Sequence, residues 1–140
     1  MKEGRISTIL IKQRIIKKII KTSNAPRAGG PYSQAVEING TLYISGQVAI
    51  NPETGKMVDG GVVEQTEQVL KNIGAILKEA GYEFSDVVKS TCLLNDIANF
   101  RIMNEVYSRF YPENQPARTA FAVRDLPLGA MIEIETIAVR

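Results

Sequence analysis

Residues Gln115 to Arg140 (QPARTAFAVRDLPLGAMIEIETIAVR) constrain this chain more than any other stretch. Arg118 precedes an apolar segment, Phe121 to Val123. Leu126-Pro127-Leu128-Gly129 reads as a turn, and a strand follows that carries Glu133 and Glu135. The glutamates alternate with Ile132 and Ile134, so a strand puts both carboxylates on one face and both isoleucines on the other. A carboxylate inside an apolar strand is costly to bury unless it is paired or used. A hairpin-like return would bring Arg118 and a glutamate together, and such a pair can hold a small carboxylate and activate water beside it.

At 140 residues the chain reads as one domain with room for a real core. It has no histidine, so the commonest general base and metal ligand is missing. Its one cysteine, Cys92, excludes an intramolecular disulfide and a cysteine-based zinc site within one subunit. Nucleophile systems that pair serine or cysteine with histidine are excluded too. An enzyme of this composition works with carboxylates, arginine, hydroxyls, backbone and water.

The net charge of +2 conceals an asymmetry. Lys2, Arg5, Lys12, Arg14, Lys17, Lys18 and Lys21 face only Glu3 in the first 21 residues. Residues 22–140 hold 10 basic and 14 acidic groups, a net of −4. That acidic body, without an aromatic and basic patch, argues against nucleic-acid binding. No apolar run has the length of a membrane span and the start lacks the form of a secretory signal. A single unpaired cysteine suits a reducing cytoplasm.

Residues 1–16 read as a basic extension and residues 17–140 as the domain. Lys17–Lys21 suits a strand. Asn39-Gly40 between Ala35–Ile38 and Thr41–Ser45 is a strong hairpin signal of the type I′ kind. Asn51 to Gly55 is a second turn cluster. Val63 to Ala80 has a helical apolar stripe at positions 69, 70, 73, 76, 77 and 80, with Gly81 as its stop. Val87 to Leu94 reads as a strand. Asp96 can cap a second helix that buries Phe100, Met103, Val106, Tyr107 and Phe110 and ends before Pro112. Strands over 119–124 and 131–139 close the chain. The order β, ββ, α, β, α, ββ predicts an α+β two-layer sandwich, one mixed sheet with two helices on one face. The other face must also be covered, and assembly of several copies is the obvious cover.

Gly30-Pro31-Tyr32-Ser33-Gln34-Ala35, Ser45-Gly46-Gln47, Pro116-Ala117-Arg118 and Ile132-Glu133-Ile134-Glu135 occur in that order. Together they resemble the Rid, or YjgF, family of reactive intermediate deaminases. The resemblance runs from about residue 17 to the end. It implies a chorismate-mutase-like fold and a homotrimer with sites between subunits. The implied reaction is metal-independent hydrolysis of 2-iminoacids and their enamine tautomers, such as 2-iminobutanoate and 2-iminopropanoate, to 2-ketoacids and ammonia. No cofactor is implied. By the same resemblance Arg118 clamps the substrate carboxylate and Glu133 positions water, while Tyr32, Ser45, Gly46 and Asn104 line the site. Ala120 stands where the family often has cysteine; its backbone N–H remains able to bind substrate.

Each residue also has a plainer reading. Arg118 suits a surface or interface ion pair, Glu133 a solvated strand face, Tyr32 packing over the sheet, and Asn104 a helix surface. Glu135 reads as solvated or paired at an interface, and Cys92 as a buried, inert thiol. The resemblance leaves two other functions open: a non-catalytic trimer that binds ketoacids or similar carboxylates, and a translation inhibitor with ribonuclease activity.

Overall fold

The computed structural model describes residues 16–140, so the expected extension over 1–16 lies almost entirely outside the described residues. The chain runs through β1 (Lys18–Ile20), β2 (Ala35–Ile38), β3 (Thr41–Gln47), a small hairpin of β4 (Ile50–Asn51) and β5 (Lys56–Met57), and α1 (Val62–Ala80). It continues through β6 (Val87–Leu94), α2 (Phe100–Phe110), β7 (Ala117–Ala122) and β8 (Ile132–Val139). Apart from that small hairpin around the second turn cluster, every element stands where the sequence pattern places it, within a few residues.

Local chemistry sets most boundaries. Asn39 and Gly40 both have positive φ, 49° and 74°, as a type I′ turn requires, and the turn sets the pairing of Ile38 with Thr41. At the start of α1 the Glu64 carboxylate accepts the Gly61 N–H at 2.9 Å. At its end Gly81 takes φ 83°, and the Tyr82 N–H donates to the Leu77 carbonyl at 2.8 Å, which closes the last turn. Val69, Leu70, Ile73, Ile76 and Leu77 are buried as the stripe predicts. Asp96 caps a short 3-10 turn (Ile97–Asn99) that leads into α2 rather than α2 itself, its carboxylate accepting the Ala98 N–H at 2.9 Å.

Six strands form the main sheet in the order β1-β2-β3-β8-β6-β7. All neighbours are antiparallel except β6 and β7, which are parallel. A parallel pair needs a crossover, and α2 supplies it. Strand β8 slots between β3 and β6, so the last strand in sequence lies inside the sheet. Its Ile132, Ile134, Thr136 and Ala138 are 0–1% exposed against the helices. Glu133, Glu135, Ile137 and Val139 point to the opposite face, as the alternation demands. That face also shows Ile19, Tyr43, Phe121 and Val139 at 45–53% exposure. Neither helix reaches it, because both pack on the other side.

Candidate functional site

The hairpin-like return expected between Arg118 and the glutamates does not form. Strands β7 and β8 both pair with β6 and never with each other. Arg118 stands opposite Ser90, and Ser90 opposite Thr136, a row that faces the helices. Glu133 stands opposite Leu93, three residues along β6 and therefore on the other face. The two residues are two strand spacings apart, about 10 Å across the sheet before any offset along it. One chain thus carries the expected site residues as two separate clusters.

The first cluster surrounds Glu133. The register of β3 against β8 shifts between Ile44 and Gln47, leaving Ser45 and Gly46 in a bulge. Gly46 lies so close to Glu133 that an added Cβ would fall 3.0 Å from the glutamate Cδ and nearer still to its oxygen. A larger residue there would have to displace that carboxylate. Ser45 ties the bulge to the preceding loop: its Oγ donates to the Ser33 carbonyl at 2.6 Å and its N–H to the Gln34 carbonyl at 2.9 Å. Tyr32 is half-exposed, and its phenolic oxygen accepts the Gly29 N–H at 3.1 Å. Burial, and then the like charge of Glu135, push the Glu133 carboxyl above the usual glutamate range. A hollow of about 480 Å³ opens beside Tyr32, lined also by Ile19, Arg27 and Ser33. Glu133 and Arg118 do not line it.

Gln34, in the Gly30–Ala35 motif, holds the loop before β2 in place, a role its neighbours in sequence do not reveal. It is buried, its Oε1 accepts the Thr22 N–H at 2.7 Å, and its Nε2 donates to the carbonyls of Thr22 (3.0 Å) and Pro26 (2.8 Å). Gln34 lies one residue before β2, and a buried polar side chain of this kind is held by hydrogen bonds.

The second cluster surrounds Arg118 at the edge of the sheet. Its guanidinium carbon lies 4.8 Å from the Tyr107 ring centroid and 5.5 Å from that of Phe100. Among the described residues the ion pairs are Arg109–Glu67 and Arg124–Asp125, so no carboxylate engages Arg118. Asn104 shares the face of α2 that carries Phe100 and Tyr107, and its Oδ1 is buried without a hydrogen-bond partner among the described residues. The Val123 N–H donates to the Leu94 carbonyl at 2.8 Å. Alternation along β7 then points the Ala120 N–H away from β6, to the free edge. Cys92, opposite Ala120, is fully buried, and its thiol is pushed up to about 11 by burial, against the pull of Arg118. It is no nucleophile.

A guanidinium without a carboxylate partner among the described residues, a free N–H and an amide oxygen are groups that can bind a carboxylate and a nitrogen. A glutamate with a raised pKa is an acid–base group. Among the described residues no group of three His, Cys, Asp or Glu side chains could hold a metal ion, and no helix is long and apolar enough to cross a membrane.

Residues 22–140 match the family described as Endoribonuclease L-PSP. The chain is 52% identical over 126 residues to 2-iminobutanoate/2-iminopropanoate deaminase of Mus musculus, covering 90% of this chain and 93% of that protein. The structure of RidA from the Antarctic bacterium Psychrobacter superposes with a TM-score of 0.85 at 44% identity, over 88% of this chain and 99% of that one. The structure of E. coli TdcF with bound serine superposes with a TM-score of 0.84 at 38% identity, over 88% and 98%.

Proposed function

The chain belongs to the Endoribonuclease L-PSP family, the Rid or YjgF proteins, and we propose that within it this protein is a hydrolytic deaminase. Its substrates are 2-iminoacids and their enamines, 2-iminobutanoate and 2-iminopropanoate, and its products are 2-ketoacids and ammonia. The observation that carries this reading is the 52% identity to a deaminase of that name across 90% of the chain. The unpaired Arg118 guanidinium supports it, since a planar fork suits a planar carboxylate.

Arg118 holds the substrate carboxylate through two parallel hydrogen bonds, with the Ala120 N–H and the Asn104 side chain beside it. Water attacks the C=N carbon as Glu133 takes one of its protons and passes it to the imine nitrogen, which becomes an amine on a tetrahedral carbon. The C–N bond then breaks as Glu133 takes the hydroxyl proton, the oxygen becomes the keto group, and the same proton passes to the nitrogen, which leaves as ammonia. The substrate is reactive, so orientation and one base are enough. The chain's own residues account for every proton.

Arg118 and Glu133 lie on opposite faces of the sheet in one chain. A homotrimer resolves this: the exposed apolar face of each sheet packs against its neighbours, and the β7 edge of one subunit meets the β3 bulge of the next. Tyr32, Ser45 and Gly46 shape the glutamate's half of the cleft. Sedimentation should give a trimer at micromolar concentration. A stable monomer that retained full activity would refute the shared site.

Freshly generated 2-iminobutanoate, assayed beside an RNA substrate, tests the function itself. Ammonia release well above the spontaneous rate is expected, and RNA should stay intact. Cleavage of RNA without imine hydrolysis would favour the activity in the family's description, and ketoacid binding without turnover a sensor.

Two finer results follow from the geometry of the carboxylate. Glu133 must be ionised to accept a proton. Its pKa is raised, so activity is present above that pKa and falls as the pH drops through it, at a higher pH than for an ordinary glutamate. Glu135→Gln removes the like charge and should move this acid limb to lower pH; an unmoved limb would show that Glu135 does not act on the base. Gly46→Ala should push the Glu133 carboxylate aside, at little cost in melting temperature because the end of that side chain is free to swing. A displacement of about 1 Å can cost about 10²-fold in rate. A Gly46→Ala protein as active as wild type would free the carboxylate from this role.

A further inference from the structure

We infer that Tyr107, with Phe100 beside it, is a positioning residue that aims the Arg118 guanidinium at the substrate carboxylate; this rests on the carboxylate-clamp reading of Arg118. An arginine on an edge strand with no carboxylate partner among the described residues has several rotamers open to it. What restrains Arg118 is aromatic: Tyr107 at 4.8 Å and Phe100 at 5.5 Å from the guanidinium carbon. The two rings are seven residues apart on α2, two helical turns, and so project from one face. A ring face attracts the cation while leaving the N–H groups at the guanidinium edge free to donate. A carboxylate partner would instead occupy those donors and compete with the substrate.

Tyr107 is itself held. It is 6% exposed, its ring lies 4.6 Å from that of Tyr111, and Tyr111 meets Phe84 edge-on at 5.4 Å. The row Phe84, Tyr111, Tyr107 forms a rigid backing that ends at Arg118. The Tyr107 hydroxyl is buried near Ser90, with no partner at hydrogen-bond distance among the described residues. The ring is the part that meets the guanidinium.

The test is steady-state hydrolysis of 2-iminobutanoate together with equilibrium binding of 2-ketobutanoate, on the full chain. Tyr107→Phe keeps the ring and should match wild type. Tyr107→Leu should raise KM and weaken ketoacid binding by about threefold to thirtyfold, the range of a cation–π contact, with kcat nearly unchanged. In an Arg118→Ala background the same Tyr107→Leu change should add less than about twofold, since there is no guanidinium left to aim. Should Tyr107→Leu fail to assemble, Phe100→Leu, at the start of α2, carries the same expectation with a smaller effect. Wild-type KM in an assembled Tyr107→Leu or Phe100→Leu protein overturns the inference. So does an equal loss with and without Arg118, which marks a merely structural ring. A wild-type protein that neither hydrolyses the imine nor binds the ketoacid overturns the clamp itself, and this inference with it.

Discussion

Glu133→Gln is expected to lower hydrolysis of 2-iminobutanoate by about 10²-fold, with ketoacid binding kept. The amide preserves the shape of the side chain in its space against Gly46, but it cannot accept a proton from water. Loss of a general base typically costs about 10²–10⁴-fold, and a substrate this reactive toward water belongs at the lower end. The fold should not suffer. The wild-type carboxylate is partly desolvated and sits near the like charge of Glu135, so a neutral replacement relieves a strain rather than adding one. Unchanged turnover in a correctly assembled Glu133→Gln protein would make Glu133 structural and move the search for a base to Glu135 or to bulk water.

Arg118→Lys should lower kcat/KM for the same substrate by about 10- to 100-fold while assembly persists. The ammonium keeps the charge and can still sit over the Tyr107 ring, but it loses the fork that grips two carboxylate oxygens at once. Charge-assisted hydrogen bonds are worth roughly 1.5–3 kcal/mol, which sets the size of the loss. Strand β7 is an edge strand and Arg118 is only half-buried, so the substitution opens no cavity in the core. The loss should appear equally in the affinity for ketoacid product. Wild-type affinity and rate in the lysine variant would remove the clamp.

The two variants divide the reaction between its binding and chemical halves. Glu133→Gln should spare ketoacid affinity and Arg118→Lys should not. A protein that lost ketoacid affinity on Glu133→Gln would have both residues in one recognition unit, with water activated elsewhere.

Amino-acid order alone determined the elements, because their signals are local. Asn39-Gly40 specifies its turn through two positive φ values, Gly81 stops α1 for the same reason, and the stripe from Val69 to Leu77 has only one amphipathic solution. The alternation in Ile132-Glu133-Ile134-Glu135 likewise puts both carboxylates on the face away from the helices wherever the strand lies in the sheet. The candidate site residues were legible as types in motifs. Tertiary structure alone decided how they meet. Which strands pair depends on long-range burial, and β8 enters between β3 and β6 because its isoleucine face completes the core beneath α1, something no residue of the Gln115–Arg140 segment announces. That insertion separates Arg118 from Glu133, turns an apparent hairpin into two strands that flank β6, and puts the two groups on opposite faces. The aromatic backing of Arg118 was hidden for a related reason: Phe100 and Tyr107 read as core positions of a helix, and only the β6-α2-β7 crossover brings their rings against the edge strand that carries the arginine.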